Sequence, residues 1–223
     1  MPTIRLTSAS DGFEFNCLHA EPVGERRGGV IVLQEIFGLD RYIRADVKRW
    51  CEAGYEVVAP SLFDRREPGF IAAHDPEGLA AGRDHAMASG LDTPLSDIAA
   101  CRDFLQIRGP VFIVGYCYGG SLTWLACGRL TGLAAGSSYY GSLVKANADL
   151  TPKCPVIVHL GAKDPHIPAE EVRAALQAAQ PDVPVYVYET GDHGFNNEGA
   201  DRYDAASAEL ARQRTRALFE VSA

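Results

Sequence analysis

One stretch of the sequence decides the fold prediction: Val111-Phe112-Ile113-Val114-Gly115-Tyr116-Cys117-Tyr118-Gly119-Gly120-Ser121. Its apolar start predicts a buried strand, and the residues after it, 122–130, have helical spacing. A strand, a G-x-C-x-G turn and a helix form the pattern of a nucleophile elbow, with cysteine where serine usually stands. The turn brings strand and helix so close that side chains at its flanking positions would clash, which explains the glycines. Cys117 is therefore the candidate nucleophile, at a helix end that favours thiolates.

Two other interpretations of this stretch were considered. A glycine-rich turn that contains a buried, unreactive cysteine is the structural alternative, because free cysteine is among the most buried residue types. A phosphate-binding loop is disfavoured, since G-x-x-x-x-G-K-[ST] has no match and Cys117 stands at the third position of a G-x-G-x-x-G pattern.

Apolar runs and helical segments alternate along the rest of the chain. Continuous apolar runs are typical of strands buried on both faces, so we expect a mainly parallel sheet with helices on both faces. The predicted strands are residues 29–33, 55–59, 111–114, 134–139, 155–160 and 185–188. The predicted helices are residues 41–53, 77–88, 95–107, 122–130, 169–179 and 203–219.

Two regions depart from this alternation. Residues 4–7 and the alternating Phe13, Phe15 and Cys17 predict an antiparallel pair at the N-terminal edge of the sheet, with Asp11-Gly12 as its turn. Residues 61–94 are rich in Gly, Pro, Asp and His, and we expect them to form an excursion over the carboxyl edge of the sheet. Without a repeat or a linker, a single domain over residues 1–223 is the simplest prediction.

Composition excludes several classes of function. The 21 basic and 29 acidic residues give a net charge of −8, which repels nucleic acid and anionic membrane surfaces. A membrane span needs about 20 consecutive apolar residues, and the apolar runs are short. The six cysteines form no C-x-x-C pair and no secretory signal is apparent, so we expect a cytoplasmic protein with reduced thiols. We also expect a monomer, because no long apolar edge or heptad is visible.

An elbow predicts an acid and then a histidine on loops that follow later strands. Asp164 comes after the run 155–160, and His193 comes after the run 185–188. Asp164 would orient the imidazole of His193, which would pair with the Cys117 sulfur. Of the rival acids, Asp192 would have to fold back on its own loop and Glu189 lies at the end of its strand, so Asp164 is preferred.

The remaining histidines near these loops do not favour a metal site. His159 lies inside an apolar strand and is expected in the core, and His166 is expected on a loop near the rim of the site. Metal-ligand motifs such as H-E-x-x-H do not occur. We therefore predict neither a metal nor another cofactor.

The loop Gln34-Glu35-Ile36-Phe37-Gly38 directly follows the run 29–33. Hydrolases with an elbow take one oxyanion-hole amide from this position, here that of Ile36, and the other from the residue after the nucleophile, here Tyr118. Glu35 is either a solvated loop acid or, if it faces the site, a partly desolvated carboxylate that responds to substrate.

Taken together, these motifs resemble the dienelactone hydrolase family of the α/β-hydrolase fold nearly from end to end. The resemblance implies that Cys117, Asp164 and His193 form a catalytic triad. It also implies that Glu35 contacts the resting thiol and helps to deprotonate it when substrate binds.

The sequence departs from the family at the residues that hold a substrate carboxylate. Members that open dienelactone use two arginines, and one lies four residues after the catalytic histidine, where this chain has Asn197. The other falls in the variable excursion, where Arg83 lies close to the expected position. Asparagine lacks the charge and the bidentate geometry of arginine. Arg83, Asn197 and Phe37 are the candidate substrate-binding residues.

The sequence therefore predicts a hydrolase of small carboxylic esters or lactones with an acyl-thioester intermediate and altered carboxylate recognition. A thioesterase or an acyltransferase could use the same elbow. A protein of a different class, such as a thiol redox sensor or a binding module on the same fold, would also keep Cys117 reactive.

Overall fold

The computed structural model describes all 223 residues and contains eight strands and six helices. The strands are β1 (Thr3–Thr7), β2 (Glu14–Ala20), β3 (Gly29–Leu33), β4 (Glu56–Pro60), β5 (Val111–Tyr116), β6 (Ala135–Tyr139), β7 (Val156–Gly161) and β8 (Val185–Tyr188). The helices are α1 (Arg41–Glu52), α2 (Pro76–Ser89), α3 (Asp92–Gln106), α4 (Tyr118–Arg129), α5 (Ala169–Ala179) and α6 (Ala205–Val221). None of these helices combines the length and the apolar character that a membrane span requires.

The strands form an eight-stranded sheet in the order β1-β2-β4-β3-β5-β6-β7-β8. The pairs β3 with β4, β6 with β7 and β7 with β8 are parallel. The pairs β1 with β2 and β2 with β4 are antiparallel. The mainly parallel sheet with an antiparallel N-terminal edge is thus confirmed.

Contacts along the chain divide it into two compact units, Met1–Ile113 and Val114–Ala223. A single domain over residues 1–223 therefore stays a prediction. In the first unit, α1 packs on β3 and β4, and α3 packs on β1, β3 and β4. All residues of β3 and β4 are buried, as their apolar runs predicted.

In the second unit, α4 and α6 pack on β6, and α5 packs on β8. All residues of β6 and β7 are buried. Among these helices, α5 has the predicted bounds, and α6 begins two residues later than predicted because the Asp204 side chain caps it by accepting from Ser207 N.

Three helices begin earlier than the sequence predicted, α2 by one residue, α3 by three and α4 by four. We placed the start of α3 at residue 95, after Pro94, but the helix begins at Asp92. Proline is tolerated in the first turn, where its missing N–H has no partner in the helix. We placed the start of α4 at residue 122, but it begins at Tyr118, so that Cys117 itself is the N-cap residue.

Candidate functional site

Cys117 occupies a left-handed backbone conformation between β5 and α4. Its φ is 53° and its ψ is −107°. Only one other non-glycine residue of the chain, Tyr140, has a positive φ. Such conformations cost about 1–3 kcal/mol and persist where the surrounding structure requires them, which makes an observed outlier a candidate functional position. This is the geometry of the elbow that the sequence predicted.

Glycines make this turn possible because neighbouring backbone comes close to them. A Cβ atom at Gly115 would lie 2.2 Å from the Gly119 carbonyl oxygen, and one at Gly120 would lie 2.1 Å from the Tyr139 carbonyl oxygen. Contacts this short exclude any side chain. The glycines therefore let α4 approach both its own strand and β6, which fixes the position of Cys117.

The backbone of Cys117 forms hydrogen bonds through both its N–H and its carbonyl group. Its N–H donates to the Tyr139 carbonyl at 3.0 Å, and its carbonyl accepts from Ser121 N at 3.0 Å. Tyr118 is the first residue of α4. Its amide therefore belongs to the first helical turn, where N–H groups point out of the helix and attract negative charge.

Asp164 and His193 form a close pair in the same unit. The imidazole Nδ1 lies 2.7 Å from Asp164 Oδ2, and the carboxylate side chain is only 1 % exposed. The other carboxylate oxygen accepts from His166 N at 2.8 Å and from Ile167 N at 3.1 Å. Burial raises the pKa of Asp164, but the hydrogen bond from His193 and these amides outweigh burial and lower the pKa. Asp164 is thus held as a carboxylate beside the imidazole.

The neighbouring acid does not take this place. Asp192 Oδ1 accepts from the backbone N–H of His193 at 2.6 Å, and Glu189 is exposed. Between the candidate acids, the structure brings Asp164 to the imidazole ring.

The hydrogen bonds of His193 favour its protonated form. Burial lowers the pKa of His193, but hydrogen bonds with Asp164 and with the Cys117 side chain raise it to about 10, from 6.5. The three predicted residues Cys117, His193 and Asp164 thus form one hydrogen-bonded series. An imidazolium next to a sulfur stabilises a thiolate, which is the nucleophilic form of cysteine.

Tyr140 is a further residue of this site that the sequence reasoning missed. It is fully buried, its φ is 37°, and its ring centroid lies 4.9 Å from that of His193. Its hydroxyl donates to Asn196 Oδ1 at 2.5 Å. The signal was available, because Tyr140 directly follows the predicted strand 134–139 at the carboxyl end of the sheet.

The other histidines of this unit lie where the sequence placed them. His159 is fully buried, and its Nδ1 lies 2.9 Å from the Tyr188 hydroxyl. Burial, with a contribution from the charge of Arg214, lowers the pKa of His159 to about 3. It is therefore a neutral core residue. His166 is exposed, and its ring centroid lies 5.8 Å from that of His193.

Three predicted residues belong to the first unit, in the loop after β3. Glu35 is 5 % exposed, Ile36 is 8 % exposed and Phe37 is partly exposed. Burial of Glu35 excludes its interpretation as a solvated loop acid. The ring of Phe37 stacks on that of His74, with centroids 3.9 Å apart.

The two candidate carboxylate-binding residues differ in exposure. Arg83 lies in α2 with an exposed side chain. Asn197 is 3 % exposed, and its Oδ1 accepts from Gly199 N at 3.0 Å. The Asn197 side chain therefore stabilises its own turn.

One cluster of the first unit brings metal-binding groups together. Ligand atoms of His19, Glu21 and Glu56 lie within 4.8 Å of one another. However, Arg26 and Arg108 pair with Glu56 at 2.8 and 3.2 Å. Their positive charges oppose a cation, so the cluster is explained as an ion-pair network.

Comparisons with known proteins agree on one family. The model of the dienelactone hydrolase family matches residues 15–222. Carboxymethylenebutenolidase 1 of Cupriavidus pinatubonensis is 30 % identical over 229 residues, which cover 98 % of this chain and 96 % of that protein. Carboxymethylenebutenolidase of Pseudomonas putida is 30 % identical over 217 residues, which cover 92 % and 90 %. A crystal structure of a Klebsiella pneumoniae protein assigned as a dienelactone hydrolase has a TM-score of 0.83 and 29 % identity, and 99 % of each chain is covered.

Proposed function

The chain belongs to the dienelactone hydrolase family, and from that premise we propose that it hydrolyses carboxylic esters or lactones with Cys117 as nucleophile. The observation that carries this proposal is the hydrogen-bonded series of Cys117, His193 and Asp164 at a turn with φ of 53°. A buried, inert cysteine would require neither the turn nor the imidazole.

Each residue has a separate role in the reaction. With the Cys117 proton already on His193, the sulfur attacks the acyl carbon as a thiolate, which turns the carbonyl oxygen into an oxyanion. His193 then protonates the departing alkoxide, and an acyl thioester remains on Cys117. Water gives a proton to the neutral His193 as it attacks the thioester, and the acid leaves as the Cys117 thiolate forms again beside the protonated imidazole. Asp164 holds the imidazole and stabilises its charged form throughout.

Two backbone amides bind the oxyanion in this proposal. The Tyr118 amide is supported by its position in the first turn of α4. The Ile36 amide and the deprotonating role of Glu35 come from the family resemblance, and the burial of Glu35 is compatible with that role. Loss of one oxyanion donor typically costs about 3–4 kcal/mol of transition-state stabilisation.

We propose that carboxylate recognition is altered relative to members that open dienelactone. Asn197 carries no charge, and its carbonyl oxygen is engaged by Gly199 N. Neutral aryl esters are therefore expected to be better substrates than dienelactone, which carries a carboxylate. Efficient opening of dienelactone at micromolar concentration would show that the loss of the arginine is harmless.

The nucleophile is tested with Cys117→Ala and a small activated aryl ester. Turnover is expected to vanish while circular dichroism shows an intact fold. The matched control is Cys51→Ala, which removes a partly exposed thiol that donates to the Glu21 carbonyl at 2.8 Å. If Cys117→Ala retained the wild-type rate, Cys117 would have no part in the reaction.

A further inference from the structure

The segment before α2 is joined to the loop that follows β3, and both belong to the first unit. Gly38 and Ile71 form an antiparallel bridge. Ala72 N donates to the Phe37 carbonyl at 3.1 Å. The variable excursion thus adds a short backbone ladder to the loop that carries Glu35.

Beyond this ladder, the side chain of His74 also contacts the loop. His74 Nε2 lies 2.7 Å from Asp40 Oδ2, while the His74 ring stacks on Phe37 with an angle of 18° between the ring planes. The other Asp40 oxygen accepts from Ile43 N at 3.0 Å and so caps α1. His74 therefore contacts both ends of the loop 37–40. The second end, Asp40, is also the N-cap of α1.

The charges around His74 favour its imidazolium form. The hydrogen bond with Asp40 raises the pKa of His74 against the effect of partial burial, and the charges of Glu35 and Asp40 act in the same direction. Asp75, the next residue along the chain, is engaged in capping α2 by accepting from Gly78 N at 2.8 Å. The two carboxylates that favour the charged form of His74 are thus Asp40, which it binds, and Glu35, which acts through its charge.

The helix α2 also touches the loop at its centre. A Cβ atom at Gly82 would lie 2.1 Å from the Ile36 carbonyl oxygen. Helix α2 therefore packs against the carbonyl of Ile36. The residues that follow are held by the short backbone ladder and by the stacked rings of Phe37 and His74.

We propose that His74 is a positioning residue of the reaction: its ring, bound to Asp40 and stacked on Phe37, holds the loop that presents Glu35 and the Ile36 amide. This inference rests on the proposed function, in which that loop supplies an oxyanion donor and a carboxylate. His74 itself touches no reacting atom.

The test compares wild type with His74→Phe and His74→Arg. Phenylalanine keeps the stack on Phe37 but has no charge and cannot bind Asp40. Arginine keeps a planar cation that can stack and can bind the carboxylate, and it does not lose its proton in the working range. For each protein, kcat and KM for a neutral aryl ester are measured from about pH 6 to about pH 9, and the melting temperature is recorded.

Dividing the wild-type kcat by the variant kcat at each pH cancels the pH dependence that comes from titrating groups present in both proteins. For His74→Phe we expect kcat to fall about tenfold at low pH, the effect of one charge-assisted hydrogen bond, with little change in KM. The ratio should approach one as His74 of the wild type loses its proton. His74→Arg should restore kcat and remove this pH dependence.

Other outcomes would overturn the inference. An unchanged kcat in His74→Phe would show that His74 has no positioning role. A lower melting temperature with a kcat ratio that is constant with pH would show a merely structural one. Neither result affects the proposed function, which fails instead if the wild type itself does not turn over the ester or if Cys117→Ala remains active.

Discussion

The Asp164→Asn variant tests the dependence of His193 on a buried charge. Asparagine has nearly the same shape, and its Oδ1 can still accept from His166 N and Ile167 N, which contact Asp164 Oδ1 at 2.8 and 3.1 Å. It removes the carboxylate that lies 2.7 Å from His193 Nδ1. An amide NH₂ group facing that nitrogen selects the wrong imidazole tautomer. In hydrolases with a triad, this change lowers kcat by roughly 10⁴, which corresponds to about 5 kcal/mol of activation free energy.

The same variant changes the pH dependence of stability. The pKa of His193 is raised to about 10 from 6.5, so its contribution to the free energy of unfolding is fully present below pH 6.5 and is lost as the pH rises to about 10. Loss of one proton gives a slope of at most about 1.4 kcal/mol per pH unit in this window. Without the carboxylate, the upper limit of the window moves down and the alkaline slope covers a narrower pH range, while the influence of Cys117 remains.

Two assays measure these effects. Rapid mixing with an activated aryl ester gives the acylation rate, and urea denaturation at several pH values gives the slope. Asp192→Asn is the matched control, because Asp192 accepts from the backbone of His193 at 2.6 Å and asparagine keeps that acceptor; the ion pair with Arg202 at 3.8 Å that it loses is partly exposed. A kcat of Asp164→Asn within tenfold of wild type, together with an unchanged alkaline slope, would refute the assigned role of Asp164.

Three further predictions concern single side chains. Gly120→Ala places a methyl group 2.1 Å from a backbone oxygen and should lower the free energy of unfolding, measured in urea, by about 1–3 kcal/mol. The control Gly199→Ala, whose nearest contact lies at 3.5 Å, should change this free energy little. Equal effects of the two variants would contradict the packing of the elbow. Tyr140→Phe removes the hydrogen bond to Asn196 and should cost about 1–3 kcal/mol of stability while kcat is retained; a large loss of kcat would give the hydroxyl a chemical role. Glu35→Gln should slow acylation and alter the pH profile of thiol alkylation, and an identical profile would leave Glu35 without a role.

The central strands β3 to β7 could be predicted from the sequence because each is buried along its whole length. In β3 and β7 every residue is buried, so a continuous apolar run marks the strand without ambiguity. Helix starts were harder, since they depend on caps. The start of α3 was placed at residue 95, three residues too late, although a first turn accepts a proline such as Pro94.

The site could be predicted where its chemistry has a local signature. Gly115 and Gly120 mark the elbow at Cys117, and chain order points to Asp164 and His193. Tyr140 has only its place directly after the predicted strand 134–139 as a signal, and His74 has none. Their roles depend on a ring 4.9 Å from His193 and on a carboxylate 34 positions away in the chain, contacts that arise only when the chain is folded.

The covalent state of Cys117 during turnover shows whether its sulfur is the nucleophile. The protein is mixed with an aryl ester, quenched in acid within the first turnovers, and analysed by mass spectrometry of the intact chain and of its peptides. We predict an added acyl group on the peptide that contains Cys117, and none in Cys117→Ala. Steady turnover by the wild type with no adduct on Cys117, or an equal adduct in Cys117→Ala, would contradict the account.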